Sequence, residues 1–385
     1  MQPINKTLFI LIFIIFPSII NAQWMPDGLK SSTHLSSENS DKLQLKIDMT
    51  GFFKNNEYSS PIAKGATFPG TMFTPRLRYQ IGSQFSAEIG ATGLYYSGDQ
   101  QKDGMDFFKW VHARLQYQPL PNLNFVLGNL YAGVNHRLIE PLYRWELHMT
   151  NKPESGIQLT YENKRFFVDT WVNWRRYIER GDSVPEVLTF GLSSSIKLTS
   201  PEKRLQLSIP FQTLIYHEGG QIDRSESPLV VAGNIATGLV SDYQIGDGFI
   251  KSAGFNIYGL GYYDKKPNPE IRPYDKGWAV YPVFHMEAKY LNFMAGYWHA
   301  RKFYAFEGEE LFASFNPLHP EERLPTRNVV TFKLAYERQL KRMFAFGIHA
   351  ESYSDLKRKK TDYSFGVFLR LNGEWTLIKK AINEW

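Results

Sequence analysis

From about residue 43 onward the chain reads with a period of two, in segments of roughly ten residues. In the first segment Leu43, Leu45, Ile47 and Met49 share one face, while Gln44, Lys46, Asp48 and Thr50 share the other. The same alternation runs through Val111–Tyr117, Phe166–Arg175, Phe284–Tyr290 and Tyr363–Asn372. Successive side chains of a strand point to opposite faces, so each segment predicts a strand with one apolar and one polar face. The joints alternate between short and long. Short ones, such as Gly82-Ser83-Gln84, Pro119-Leu120-Pro121-Asn122 and Gly246-Asp247-Gly248, carry tight-turn residues. Long ones fall near residues 55–70, 97–106, 132–154, 177–186, 217–228, 264–277, 305–327 and 355–361. A soluble sandwich has no reason to collect its long loops at one end, whereas a membrane barrel does. The pattern predicts an all-β fold, a transmembrane antiparallel up-and-down β-barrel of about sixteen strands over residues 43–373.

Aromatic residues are expected in two girdles. Tyr95-Tyr96, Phe107-Phe108, Trp174, Tyr216, Tyr262-Tyr263, Trp278, Phe303-Tyr304 and Tyr353 fall at strand ends next to long joints. Tyr117, Tyr161, Phe166, Tyr290, Phe293, Tyr336 and Phe344 fall by short turns. Amphipathic rings favour the lipid–water boundary.

The first 22 residues read as an address. A basic start at Lys6, an apolar run from Leu8 to Phe16 and a small residue at Ala22 predict a cleaved signal peptide. That run is shorter than the roughly 20 residues a spanning helix needs. Residues 23–42 predict a flexible or plugging segment, and residues 374–385 a tail or the end of the last strand. The chain has no cysteine, which excludes a disulfide scaffold, a thiol nucleophile and a Cys-ligated metal or cluster. Mean hydropathy of −0.35 is too polar for a helical membrane bundle.

Together these features resemble a porin-like outer-membrane β-barrel protein of Gram-negative bacteria. The resemblance implies passage of small hydrophilic solutes through an aqueous lumen, with outer-membrane lipid and lipopolysaccharide as surroundings. It also implies that the long joint after the fifth strand folds inward. Carried over by position, His136, Arg137, Glu140, Arg144, Glu146 and His148 become candidate constriction residues, against the alternative of an external cap. By strand parity Lys46, Arg76, Arg78, Arg114, Asp169, Arg175, His285, Glu287, Lys289, His299, Arg301, Lys333 and Arg370 are candidate lumen residues. Nine cations in that set against six inward anions, Asp48, Glu88, Asp169, Glu287, Glu337 and Glu351, predict a mild anion preference, unless the charges pair among themselves. The run Lys357-Arg358-Lys359-Lys360 in the last long joint is a candidate lipopolysaccharide contact, and an exported barrel rarely meets nucleic acid.

A rival reading is a closed accessory barrel with envelope protein partners, favoured by apolar Leu311-Phe312-Ala313-Ser314-Phe315 in an external joint. No Gly-x-Ser-x-Gly, His-Glu-x-x-His, P-loop or dinucleotide fingerprint occurs. His285, Glu287 and His299 are the one cluster suited to a metal or to acid–base work, and a polar lumen produces such a cluster by chance. The expectation is therefore no enzyme, no cofactor, no metal and no catalytic residue, with an outer-membrane hydrolase as the last alternative.

Overall fold

The computed structural model describes residues 26–379 apart from 32, 100–106, 221 and 342, so the predicted signal peptide lies outside the described residues. The strands are β1 (Lys42–Glu57), β2 (Thr67–Ile81), β3 (Phe85–Tyr96), β4 (Phe108–Leu120), β5 (Leu123–Asn129) and β6 (Ser155–Glu162). They continue with β7 (Phe166–Arg176), β8 (Val187–Lys197), β9 (Leu205–Glu218), β10 (Val230–Gln244), β11 (Ile250–Asp264) and β12 (Lys276–Ala288). The last are β13 (Leu291–Arg301), β14 (Phe315–Asn316), β15 (His319–Arg323), β16 (Thr326–Lys341), β17 (Phe344–Asp355) and β18 (Lys360–Lys379). Sixteen of them form one closed antiparallel barrel, β1 pairing with both β2 and β18, while β14 and β15 make a separate hairpin. Closure leaves no free edge along most of the wall, as a structure spanning lipid requires. The last strand runs to Lys379, its end pairing with Lys42 at the start of the first.

The outward face is an apolar band that includes Ile89, Val111, Leu127, Ile157, Ile257, Phe332, Ile348 and Val367. Tyr95, Phe108, Trp174, Tyr263 and Trp278 are exposed at the long-loop end, and Tyr117 and Phe166 at the short-turn end. Four residues expected in the outer girdle instead point inward: Tyr262, Phe303, Tyr304 and Tyr353 are buried.

Their burial follows from what fills the barrel. The segment between β5 and β6 enters the lumen and buries Val134, Leu138, Leu142 and Trp145. The segment between β13 and β16 follows it, burying Phe303, Leu311, Phe312 and Phe315. Leu311–Phe315 is thus core inside the barrel, not an exposed patch, which removes the feature that favoured an accessory role. Where this core meets the wall the usual alternation inverts. Met294, Trp298 and Ala300 of β13 are buried inward, so His299 and Arg301 take the outer face. Both were expected in the lumen. Lys289 was expected there too, but it lies exposed in the turn after β12.

The amino-terminal segment enters from the opposite end. Leu29 is fully buried, and Arg370 of β18 donates to the Gly28 and Lys30 carbonyls at 3.2 and 2.8 Å and to the Ser31 hydroxyl at 2.7 Å. Among the described residues no helix is long and apolar enough to cross a membrane.

Candidate functional site

The inward segment is fastened by charges that the wall supplies. Lys333 of β16 donates to Glu140, and the Tyr353 hydroxyl of β17 lies 2.5 Å from Glu140 and 2.6 Å from Glu351. Lys54 of β1 sits 3.5 Å from Glu146 and 3.4 Å from Glu351, and the Trp145 indole donates to Glu351 at 2.9 Å. The two inward segments are also zipped to each other. Arg144 N–H donates to the Glu307 carbonyl at 2.8 Å, Glu309 N–H donates to that of Glu140 at 3.1 Å, and the Arg144 side chain pairs with Glu310.

His136 is fully buried, stacked on Trp171 at 3.5 Å, with Nδ1 2.8 Å from Asp169 and Nε2 3.2 Å from Glu154. Burial disfavours its cation, but the two carboxylates outweigh that and raise its pKa to about 10. Arg137 reaches furthest, forking onto Glu162 at 3.0 and 2.7 Å beside a short turn and lying over Phe167. The segment therefore runs from mid-wall almost to the short-turn end.

The lumen charges are paired. Glu88 accepts from Arg76 at 3.0 Å and Arg114 at 3.3 Å, touches His112 at 3.2 Å, and lies 3.8 and 3.9 Å from Lys46 and Arg78. Arg175 pairs with Glu307, Arg370 with Asp48, and Asp169 with His136. His285 meets Asp242 at 3.2 Å, Glu287 meets Lys251, and His299 lies outside the barrel against Trp278 and Asn328. The expected His/Glu/His cluster is therefore dispersed, and among the described residues no group of three or more ligand side chains could hold a metal. Lys357, Lys359 and Lys360 are exposed at the last long joint, while Arg358 donates to the Ser59 carbonyl at 3.0 Å.

Two cavities in the lumen adjoin the inward segment. The outer one, about 280 Å³, lies between the inward segment and strands β1–β4 and β7, with Arg76, His112, His148, Glu154 and Arg175 among its lining. The inner one, about 430 Å³, lies near the short turns and is lined by His34, Asn122, Arg137 and Glu162 among others. Ser31, Tyr131 and Asn135 line both and form the partition, closed by a 3.0 Å bond from Ser31 N–H to the Asn135 side chain.

His148, half-buried, stands apart from the fully buried histidines. Its one-turn helix, Leu147–Thr150, places it on the outer cavity. Burial, aided by the Arg370 cation, lowers its pKa to about 4, so the ring is neutral at pH 7. Asn129 and Asn173 line the same cavity. Their side-chain oxygens accept from Ala113 N–H at 2.8 Å and Ser155 N–H at 3.1 Å, which turns their amide NH₂ groups to other partners. A neutral imidazole, amide donors and a recessed cavity are the parts needed to move a proton and steady an oxyanion. Asn173 falls on the expected polar face of its strand, whereas Glu154 and Asn129 escaped the sequence reading, because nothing local marks a residue where a segment leaves the wall.

The architecture is that of a porin-like outer-membrane barrel, with its lumen occupied by its own chain. Similar solved structures include OprD from Pseudomonas aeruginosa, at 7% identity and TM-score 0.50, covering 91% of this chain and 98% of that one. A loop-deletion form of Vibrio cholerae OmpT shows 11% identity and TM-score 0.49 over 87% of this chain and 100% of that one. These likenesses concern the fold. A family model described as lipid A 3'-O-deacylase-type matches residues 35–380, and the chain belongs to that family. No curated protein matches it in sequence. The expectation that the barrel is no enzyme is thereby overturned: its family is one of deacylases. Motif reading missed this because the nucleophile elbow and zinc-helix signatures belong to other folds.

Proposed function

We propose that the protein hydrolyses an acyl ester of an outer-leaflet lipid of the lipid A class, in the outer cavity. The observation that carries this reading is a neutral, cavity-facing His148 in a lumen blocked below it, in a chain of a deacylase-type family. His148 acts as general base. It takes a proton from water as the water oxygen bonds to the ester carbonyl carbon, and the amides of Asn129 and Asn173 steady the oxyanion. Collapse breaks the carbon–oxygen bond to the sugar, and the protonated imidazole returns its proton to the leaving alkoxide. The products are a free fatty acid and a sugar hydroxyl. Reconstitution in vesicles containing lipid A, followed by mass spectrometry, should show loss of an acyl chain and appearance of the matching fatty acid. His148→Asn should abolish it, and equal release by that variant would overturn the reading.

A second reading, passage of small hydrophilic solutes, is favoured by the two cavities lying on either side of one thin partition. It requires Ser31, Tyr131 and Asn135 to part, and stepwise currents in a planar bilayer test it. The paired state of Arg76, Arg78, Arg114 and Lys333 leaves little free charge to set an anion preference. The exposed cations Lys357, Lys359 and Lys360, with Arg358 beside them, suit lipopolysaccharide phosphates at the outer rim.

A further inference from the structure

We infer that the outer cavity is entered sideways from the membrane, through a notch in the wall that holds the acyl chain of a phosphorylated outer-leaflet lipid. The identity of the lipid rests on the hydrolase reading; the notch itself does not.

The notch follows from strand lengths. β5 leaves the wall at Asn129 and β6 joins it at Ser155, one step beyond the last wall pairs, Gly128 with Arg114 of β4 and Gly156 with Asn173 of β7. Beyond that level β4 continues through residues 108–113 and pairs only with β3, while β7 continues through residues 174–176 and pairs only with β8. Among the described residues no strand lies between them, and the departing chains share one further backbone bond at the foot of the gap, from Leu130 N–H to the Glu154 carbonyl at 3.0 Å. With strands about 4.8 Å apart, two missing strands leave a gap roughly 14 Å wide, and three residues of β7 give it a height of roughly 10 Å. It sits in the long-loop half of the wall, which faces the outer leaflet.

Unpaired strand edges at membrane depth are tolerated where they line a cavity and not where they meet lipid directly. The foot of the notch is built for the departure. Gly128 and Gly156 pair across β5 and β6. A Cβ on Gly128, at φ +91°, would fall 2.1 Å from the Ala113 carbonyl oxygen, and one on Gly156 2.0 Å from that of Val172. Only glycine lets both chains turn off the wall so close to their neighbours.

The lining suits one occupant. On the lipid side stands Val111, 75% exposed, and Trp174, which is exposed on the outer face and also lines the cavity. Behind them Leu130, Met149 and Pro153 continue the apolar path toward His148. Lys152 is exposed at the cavity edge, a cation placed to meet a phosphorylated headgroup. An acyl chain lying through the notch brings its ester to the polar end while its headgroup stays outside.

The test uses the full chain, which lacks cysteine, so a single introduced cysteine takes one fluorophore. Labels are placed at Asn151→Cys and Lys152→Cys on the cavity, at Val111→Cys on the lipid face, and at Tyr177→Cys on an outer loop. Each protein is reconstituted in phosphatidylcholine vesicles containing a minority of phosphatidylglycerol with brominated acyl chains, which quench on contact. The inference expects quenching at 151 and 152 of at least half that at 111, and at 151, where Lys152 is retained, stronger quenching than with brominated phosphatidylcholine. Quenching at both positions no greater than at 177 would overturn it. No turnover is involved, so strong quenching without fatty-acid release would sustain the notch and defeat the hydrolase reading.

Discussion

Replacing Lys333 with Met should loosen the inward segment without opening the wall. Lys333 is fully buried and lies between Glu140, which belongs to the inward segment, and Glu351, which belongs to β17. Removing it leaves two carboxylates facing each other across the Tyr353 hydroxyl, 2.5 Å from one and 2.6 Å from the other. Glu351 cannot leave, since its strand is paired on both sides and Lys54 remains 3.4 Å away. Glu140 can leave, because only side-chain packing and a few bonds hold its segment. Breaking a buried pair by removing one partner costs about 3–5 kcal/mol. At 1.4 kcal/mol per factor of ten, the undocked fraction rises roughly a hundred- to a few thousand-fold. The assay is tryptic cleavage after Arg137 and Arg144, which tracks the open population when closing outpaces cutting. Heat-modifiable migration confirms that the barrel itself stays folded. Adding Glu140→Leu to Lys333→Met removes the stranded charge and should bring cleavage back to within about tenfold of the parent, since apolar replacement of a buried pair is often neutral. Cleavage of Lys333→Met within threefold of the parent, or a double variant cut as fast as the single, would refute the reasoning.

Three further outcomes follow from the same structure. The folded pKa of His136 is raised to about 10 against 6.5 when released, so its contribution to docking is complete below pH 6.5 and is lost as pH rises through 10; tryptic cleavage should accelerate over that window in the parent and not in His136→Phe. Gly128→Ala should destabilise the barrel by about 1–3 kcal/mol through its positive φ and the 2.1 Å approach to Ala113, read by urea unfolding from vesicles. Arg370→Gln should raise protease access to residues 28–31 at least tenfold, since charged hydrogen bonds to two carbonyls and a hydroxyl are lost, each worth about 1.5–3 kcal/mol.

The wall was legible because lipid imposes a rule on every strand: apolar outward, polar inward, two residues per repeat. Lys46, Arg76, Arg114 and Arg370 could be placed from parity alone, and the short and long joints ordered the strands. Reading failed where the lumen is not water. Trp298 and Ala300 are apolar yet inward because the chain's own core packs on them, so parity placed His299 and Arg301 on the wrong face. Tyr353 looked like a girdle residue for the same reason. The segment after β5 was recognisable as something denser than a solvent loop, but its partners Lys54, Lys333 and Tyr353 lie far along the chain in either direction. No local pattern announces such pairing. His148 was visible as a candidate residue, and its character was not: burial and Arg370, a distant neighbour in sequence, set its proton affinity.

The most direct test of the account is the rate of fatty-acid release from vesicle-embedded lipid A as a function of pH. With His148 held to about 4, the rate should stay level from pH 8 down to about 5 and fall through pH 4, and His148→Asn should remove the activity across the whole range. A fall centred near pH 6.5, the value of an ordinary imidazole, or a profile unchanged in His148→Asn, would contradict it.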